Sequence, residues 1–166
     1  MDYESVVPSP VGPLTLRAGE HGLTALVLEH DRNRERHLFA PAKECRPGDE
    51  PPVLARARTW LEDYFTGKQP DIKNIPLDPP GTDFQKRVWQ YLLTIPYGET
   101  RTYGDLAKAL KSSPRAIGGA VGRNPISILI PCHRVVGSDG SLTGYAGGLE
   151  AKRFLLELES EWTKDK

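Results

Sequence analysis

Hydrophobic positions in the first part of the chain follow both strand and helix periods. Residues 14–16 alternate apolar and polar side chains as a half-buried strand does, and a second strand-like run, residues 23–28, follows the turn residues 19–22. Between Val53 and Tyr64 the apolar residues recur at helical spacing, and Gly67 is placed to end that helix. This mixture predicts a small α/β unit.

Beyond residue 80 the hydrophobic pattern becomes helical. A cluster of prolines between residues 70 and 80 predicts a linker, so we expect an N-terminal α/β domain over residues 1–80 and a C-terminal domain over 81–166. Asp83 is placed to cap a helix that ends before Pro96, and Thr102 with Asp105 resembles a capping box for the next helix. The fold class predicted from these patterns is α+β.

A third helix begins soon after the second. Ser113 followed by Pro114 predicts its start, and the short break of residues 111–113 indicates a helix-turn-helix. The exposed face of its residues 116–120 carries almost no side-chain bulk, and Arg115 beside it is the one long side chain. Two interpretations of this smooth helix stay open: close approach to a DNA minor groove through backbone contacts, or close packing against another helix.

Composition and cysteine content place the chain in a broad class. The sequence contains no apolar run long enough to span a membrane, and its N-terminus lacks the basic and apolar regions of a secretory signal. Without an export signal, Cys45 and Cys132 are expected to be free thiols in a reducing compartment. The predicted location is therefore cytoplasmic.

Charge is distributed unevenly along a chain whose formal net charge is zero. Residues 1–80 contain 10 basic and 13 acidic side chains, whereas residues 81–166 contain 12 basic and 9 acidic ones. Between residues 84 and 136 the counts are 8 basic and 2 acidic. Such a basic segment is typical of a phosphate-binding surface, although a merely solvated basic face is the alternative.

Candidate chemistry lies at the end of an aliphatic run, residues 126–130, where Pro131, Cys132, His133 and Arg134 follow without a gap. A thiolate is a strong nucleophile, so a half-buried thiol beside two groups that hold or move protons is a candidate reactive centre. The alternative is a buried structural cysteine beside a surface histidine. Adjacent side chains of an extended segment point to opposite faces, which leaves both interpretations open.

The surrounding residues closely resemble the O6-alkylguanine-DNA alkyltransferases. The resemblance covers essentially the second half of the chain, and its motifs are Phe84-Gln85, Ile95-Pro96-Tyr97-Gly98, Thr102-Tyr103-Gly104, Asn124-Pro125, Pro131-Cys132-His133-Arg134-Val135 and Gly144-Tyr145-Ala146-Gly147-Gly148, continuing to Glu159. It implies a ribonuclease-H-like N-terminal domain followed by a mostly helical C-terminal domain with a winged helix-turn-helix. The implied wing is the turn around Ser138.

The resemblance also implies the reaction and its partners. A protein of this family transfers an alkyl group from O6-alkylguanine in double-stranded DNA, and also from O4-alkylthymine, to its own cysteine. The acceptor here would be Cys132, used once and then irreversibly inactivated. No cofactor, no metal, no membrane and no obligate protein partner are expected, and the protein is expected to be a monomer.

Individual roles carry over by position. Glu159 would hold His133, and His133 would reach Cys132 through a water molecule. The target base would be flipped out through the minor groove. Arg115 would fill the space that the base leaves in the stack, and Tyr103 would turn the phosphate. The remaining DNA contacts implied by the resemblance are Gly104, Ser113, Ala116, Gly119, Arg123 and Ser138. The base pocket would be formed by Asn124, Ser127, Pro131, Val135, Tyr145, Ala146 and Gly147.

Blander roles exist for several of these residues. Arg115 could make an ordinary phosphate contact, Tyr103 could be a core aromatic with a wet hydroxyl, and Gly147 could be a loop hinge. Glu159 lies among other glutamates that would normally form a solvated face.

The chain also departs from the family pattern. Ser127 stands where human-type proteins carry a second proline, so bulky pseudosubstrates are expected to fit less well. The turn between the two helices is shorter than in some members. Cys45 and the histidines at 21, 30 and 37 do not fall at the human-type zinc positions and follow no usual zinc spacing, so no metal site is expected.

Three other functional classes compete with this interpretation. A non-catalytic winged-helix DNA binder would share the basic segment and the helix-turn-helix, and an alkyltransferase-like lesion sensor would carry tryptophan in place of the cysteine. The presence of Cys132 argues against both. A cysteine hydrolase would need a distant histidine in a recognisable motif, and the sequence offers none.

Overall fold

A mixed sheet forms the N-terminal part of the computed structural model, which describes residues 2–142 and 144–163. Its strands are β1 (Asp2–Val7), β2 (Leu14–Gly19), β3 (Gly22–Leu28) and β4 (Ala42–Glu44), arranged in the order β3-β2-β1-β4. β1, β2 and β3 pair antiparallel, and β4 lies parallel to β1. The short helix α1 (Arg34–His37) connects β3 to β4.

Helix α2 (Pro52–Phe65) packs across β1, β2 and β3. Its inward face is the helical repeat seen in the sequence, with Leu54, Ala57, Leu61 and Tyr64 almost completely buried. The helix ends before Gly67, whose φ of +85° is open to glycine at little cost. The predicted strands and helix are therefore confirmed.

The C-terminal part is mostly helical. It contains α3 (Asp83–Leu92), α4 (Tyr103–Leu110), α5 (Pro114–Gly122) and α6 (Leu149–Thr163), with the short parallel strands β5 (Arg101–Thr102) and β6 (Val135–Val136) between them. The turn expected to form the wing, around Ser138, directly follows β6. This arrangement of a small sheet followed by helices confirms the α+β fold class.

The start of α3 differs from expectation. The cap is Thr82, not Asp83, because the Thr82 hydroxyl accepts from Gln85 N at 3.1 Å while the Gln85 side chain accepts from Thr82 N at 3.0 Å. Asp83 is already the first helical residue, where its negative charge favours the positive end of the helix dipole.

The predicted helix-turn-helix is formed by α4 and α5. Thr102 and Asp105 make the expected capping box, and the Ser113 hydroxyl caps α5 by accepting from Ala116 N at 3.1 Å. The turn between the helices passes through Lys111, which adopts a left-handed conformation with φ of 54°. Helix α3 packs on both, and Trp89 Nε1 donates to Ala120 O at 2.8 Å.

The segment that leads to Cys132 is attached to the edge of the N-terminal sheet. Leu26 N donates to Pro125 O at 2.9 Å, and Ser127 N donates to Leu26 O at 3.0 Å. Buried side chains from both parts of the chain form one continuous core. A domain boundary near residue 80 therefore stays a prediction. None of the helices in residues 2–142 and 144–163 is long and apolar enough to cross a membrane.

Candidate active site and nucleic-acid interface

Cys132, His133 and Arg134 form a 3-10 turn, closed by a 3.0 Å hydrogen bond from Arg134 N to Pro131 O. Adjacent side chains point to opposite faces in an extended backbone, which this turn replaces. The turn directs all three side chains inward, and they are 5%, 0% and 8% exposed. The thiol is almost completely buried instead of half-buried.

Glu159 on α6 lies at the centre of the buried polar groups. Its Oε2 contacts His133 Nε2 at 2.6 Å and accepts from Tyr64 OH at 2.6 Å and Arg134 Nη2 at 3.1 Å. Its Oε1 accepts from Arg134 Nε at 2.8 Å and Gly98 N at 3.1 Å. The carboxylate thus receives donors from α2, from the segment after α3 and from the 3-10 turn.

The ionisation of Glu159 and His133 follows from this geometry. Burial by itself would raise the pKa of Glu159, but His133 and Arg134 hold that pKa well below its usual range. Burial lowers the pKa of His133 even though Glu159 opposes this, so the imidazole is neutral near pH 7. Since a carboxylate only accepts, Nε2 carries the proton that points to Glu159 and Nδ1 carries a lone pair.

His133 Nδ1 is buried and has no hydrogen-bond partner among residues 2–142 and 144–163. A buried acceptor of this kind costs free energy unless another group reaches it. It belongs to the residue that follows Cys132, so the turn combines a thiol with a histidine whose free lone pair can receive a proton.

The thiol of Cys132 is subject to opposing influences. Burial raises its pKa to about 11, whereas a hydrogen bond with the Asn124 side chain and the charge of Lys152 act in the opposite direction. Asn124 also braces the preceding segment: its Nδ2 donates to Ile130 O at 2.9 Å, and its Oδ1 accepts from Ile126 N at 3.0 Å. Burial therefore favours the neutral thiol, and a nucleophile forms when a base takes its proton.

Lys152 is a site residue that sequence reasoning missed. It is completely buried on α6, and its Nζ donates to Val135 O at 2.6 Å. Its spacing with Leu155 and Glu159 places all three on one helix face, and all three are buried. Spacing at i, i+3 and i+7 was the available signal, but lysine is normally assigned to the surface.

Several of the residues that were expected to form the base pocket are buried. Ser127, Val135 and Tyr145 are buried, and the Tyr145 hydroxyl meets no hydrogen-bond partner in good geometry among the described residues. A Cβ on Gly147 would lie 3.0 Å from Leu28 Cδ2 and from Tyr145 Cε2, so this glycine permits close packing and is more than a hinge. Ala146 is half-buried beside it.

Pro131 is also buried, and it lines a cavity beside α2. This space of about 250 Å³ lies between α2 and the segment that follows α3, and Tyr64 and Tyr97 line it together with Pro131.

A surface groove runs along the helix-turn-helix. It has a volume of about 420 Å³, and its lining residues are Arg32, Tyr103, Pro114, Arg115, Gly118, Gly122 and Gly144. Arg32 is an unexpected contribution from the loop after β3, which is attached by a 2.9 Å hydrogen bond from Arg32 N to Ala146 O. The other residues expected to contact DNA are exposed, namely Gly104, Ser113, Ala116, Gly119, Arg123 and Ser138.

The outer face of α5 is smooth and unoccupied. Among the described residues, a Cβ on Gly119 would meet no atom within 4 Å, and one on Gly118 would only touch the Tyr103 ring at 4.0 Å. Helix packing uses the opposite face, where Ile117, Ala120 and Val121 are buried. The helix-packing explanation for Gly119 is therefore wrong.

One member of the basic segment does not reach the surface. Arg134 is 8% exposed and donates to Glu159 and, through Nη1, to Ile95 O at 2.7 Å. Its charge is neutralised inside the protein. The other basic residues between positions 84 and 136 are exposed or half-buried, so the surface charge there is smaller by one than the sequence count.

Fold and site together define a helix-turn-helix protein with a buried cysteine–histidine–glutamate arrangement. Residues 83–161 match the family described as "6-O-methylguanine DNA methyltransferase, DNA binding domain", and residues 3–79 match "6-O-methylguanine DNA methyltransferase, ribonuclease-like domain". The chain belongs to the 6-O-methylguanine DNA methyltransferase family.

Relatives in this family match over almost the whole chain. A protein named methylated-DNA--protein-cysteine methyltransferase from Haemophilus influenzae is 47% identical over 95% of this chain and 86% of its own length. One of the same name from Methanosarcina barkeri is 46% identical over 95% and 96%. The crystal structure of Mycobacterium tuberculosis OGT in complex with DNA is 44% identical and superposes with a TM-score of 0.83, covering 96% of this chain and 94% of that one.

The charge of Lys152 generates a prediction about the thiol. Lys152→Met removes the positive charge that favours the thiolate, so the pKa of Cys132 rises and the thiolate fraction at pH 8 falls about threefold to tenfold. The rate of iodoacetamide modification of Cys132, followed by peptide mass spectrometry, measures this fraction. Cys45 is the internal reference, and exposed Arg153→Met is the control. An unchanged rate of Cys132 modification in Lys152→Met would show that the charge of Lys152 does not favour the thiolate.

Proposed function

We propose that this protein repairs DNA by transferring an alkyl group, in the first place methyl, from O6 of guanine to Sγ of Cys132. O4-alkylthymine is the expected second substrate. The observation that carries this proposal is the buried thiol of Cys132, followed directly by His133. The Nδ1 of this histidine has no hydrogen-bond partner among the described residues, and its Nε2 contacts Glu159. The names of the family relatives supply the same chemistry for those proteins.

The proposed reaction transfers one proton and one methyl group. The thiol proton passes to His133 Nδ1 through a water molecule, and Glu159 stabilises the imidazolium that forms. Sγ then attacks the methyl carbon, the S–C bond forms, and the C–O6 bond breaks with its electron pair left on the guanine. Tyr145 would donate a hydrogen bond to the guanine ring as this charge develops. The guanine anion becomes an ordinary guanine when it takes up one proton, which balances the proton that the thiol gave to His133.

The product explains why the protein would act once. A thioether has no proton to lose and is a poor leaving group, so nothing in the described site regenerates Cys132. The protein would therefore be consumed stoichiometrically, and the reaction needs no cofactor.

Access to the base would require flipping it out of the duplex, because O6 of a stacked guanine cannot reach a buried sulfur. The groove on α5 supports approach from the minor-groove side, since its face near Gly119 is smooth enough for close contact with the backbone. In this proposal Arg115 fills the vacated stack and Tyr103 turns the phosphate. The exposed contacts at Gly104, Ser113, Ala116, Arg123 and Ser138 hold the DNA backbone without reading sequence.

The flipped base would enter between the sheet edge and the loop that contains Tyr145. Asn124 braces this wall, Ser127 and Pro131 shape it, and the backbone of Val135 and Ala146 would read the base edge. Gly147 lets the loop lie against Leu28. Because the substrate is genomic DNA, we place the protein in the cytoplasm, at the nucleoid, as a monomer without an obligate protein partner.

The central prediction concerns stoichiometry. Mixing the protein with duplex DNA that contains O6-methylguanine should add a single methyl mass to the peptide of Cys132, and Cys132→Ser should accept none while still binding DNA. Intact mass and peptide mapping measure both results. Repeated turnover, or a methyl group on Cys45, would overturn the proposal. A non-catalytic DNA binder, a lesion sensor or a cysteine hydrolase would all leave the methyl group on the DNA.

A second prediction isolates the buried carboxylate. Glu159→Gln keeps the size of the side chain but removes the negative charge that supports His133, so single-turnover transfer should slow about a hundredfold or more. Thermal unfolding is measured in parallel, because Arg134 also loses its charged partner. Exposed Glu157→Gln is the matched control and should transfer at the normal rate. Equal rates for the two variants would mean that Glu159 is not part of the proton relay.

A third prediction separates binding from flipping. Arg115→Ala should slow transfer at saturating DNA about tenfold or more, since unstacking a base costs a few kcal/mol that the inserted side chain offsets. Lys86→Ala removes an equal charge from the exposed surface of α3 and serves as the control.

The affinity of the unchanged protein for DNA should fall steeply with salt as phosphate contacts release counterions. Affinity that does not change with salt would show that the basic segment is not the DNA surface.

A further inference from the structure

Tyr64 is a residue of the N-terminal part of the chain that contacts the proposed proton relay of Cys132, His133 and Glu159. It lies near the end of α2, and its hydroxyl donates to Glu159 Oε2 at 2.6 Å, the same oxygen that contacts His133 Nε2 at 2.6 Å. Among the described residues before position 80, Tyr64 alone is hydrogen-bonded to Glu159, and it is 0% exposed. A side chain 95 positions away in sequence thus shares an acceptor atom with the histidine.

The orientation of the Tyr64 ring is fixed by aromatic neighbours. It stacks on Trp60 with ring centroids 5.2 Å apart, and it makes T-shaped contacts with Phe65 and Tyr97 at centroid distances of 5.1 Å and 6.0 Å. Contacts of this kind are favourable beyond the area they bury. Burial also raises the pKa of Tyr64 far above its ordinary value, so the hydroxyl remains a proton donor at every physiological pH.

We propose that Tyr64 is a positioning residue for the alkyl-transfer reaction: its hydroxyl orients the Glu159 carboxylate and takes up part of its negative charge, and the N-terminal part of the chain thereby sets the proton affinity of His133. The inference rests on the proposed function, in which His133 receives the thiol proton. It gives the N-terminal part a chemical role in addition to its role in the fold.

Charged and titratable groups approach the pair from several elements. Glu159 is faced by Tyr64 from α2, by Tyr97 from the segment after α3, and by His133 and Arg134 from the 3-10 turn. His133 is also under the charge of Lys152 from α6. Tyr97 differs from Tyr64 in one respect: its hydroxyl is buried but has no hydrogen-bond partner among the described residues.

The direction of the effect can be derived. Without the Tyr64 hydroxyl, the Glu159 carboxylate loses one hydrogen bond, and its negative charge acts more strongly on His133. This stabilises protonated His133 and raises the pKa of that histidine. A protonated imidazole cannot accept the thiol proton. The rate should therefore be lost from the acid side, with a larger deficit at pH 6 than at pH 8.

The test is Tyr64→Phe, which keeps the ring and its stacking and removes only the hydroxyl. Single-turnover methyl transfer should fall about threefold to tenfold at pH 6 and much less at pH 8, because the acid limb of the pH profile moves to higher pH. Tyr97→Phe removes an unbonded hydroxyl near the same carboxylate and should change the rate less than twofold. Tyr64→Phe in a Glu159→Gln background should cause no further loss, because the two residues act as one unit.

A measurement without DNA keeps this inference separate from the proposed function. Titration of His133 followed by NMR should show a higher pKa in Tyr64→Phe than in the unchanged protein, whether or not methyl transfer occurs. A normal His133 titration in Tyr64→Phe overturns the inference, and so does an equal loss of rate at every pH. Absence of transfer in the unchanged protein would instead overturn the proposed function.

Discussion

The buried carboxylate of Glu159 is the group on which the rest of the site depends. An isolated carboxylate in the interior would be protonated, because burial disfavours its charge. Here two nitrogens of Arg134, the Tyr64 hydroxyl, His133 Nε2 and Gly98 N all approach it within 3.1 Å. These donors keep it ionised, and its ionised state in turn fixes the tautomer of His133. The orientation of the proton acceptor beside Cys132 is therefore a consequence of a contact on α6.

This dependence explains why the two parts of the chain share one core. Leu26 of β3 is hydrogen-bonded on both sides of residue 126, so the sheet edge aligns the aliphatic run that delivers Cys132. Helix α2 delivers Tyr64 to Glu159 from the other direction. The N-terminal residues thus contribute both the backbone alignment of the cysteine and a hydrogen bond to its relay, although none of them carries the nucleophile.

Local patterns made much of the fold predictable. Capping residues such as Thr102 and Ser113, with the helical repeats that follow them, correctly predicted α4 and α5, because these signals act over three or four residues. The parallel pairing of β4 with β1 was not predictable, because it joins segments distant in sequence. Cys132 and His133 were identified from their neighbours, but their shared inward orientation required the 3-10 turn, which no local pattern indicated.

The missed residues share one physical property: they are polar side chains buried by distant elements. Tyr64 was assigned correctly to the inward face of α2, yet its hydroxyl partner lies on α6. Arg134 was counted as surface charge and Lys152 was not considered, because isolated charges normally stay in water. Their burial depends on Glu159, Val135 O and Ile95 O, which only the folded chain brings to them.

Burial of the thiol and smoothness of α5 act on different steps of the proposed repair. The open face at Gly118 and Gly119 offers no side chains that distinguish bases, so under the proposed function binding there would select duplex DNA without selecting a sequence. Selection of the damaged base must then occur inside, where Cys132 is 5% exposed and only a group presented against it can be attacked. A resting thiol that burial keeps protonated is a poor target for small electrophiles in solution. In the proposed reaction the same burial would require His133 and Glu159 to remove the proton when the base is in place, so a shielded nucleophile would depend on this relay.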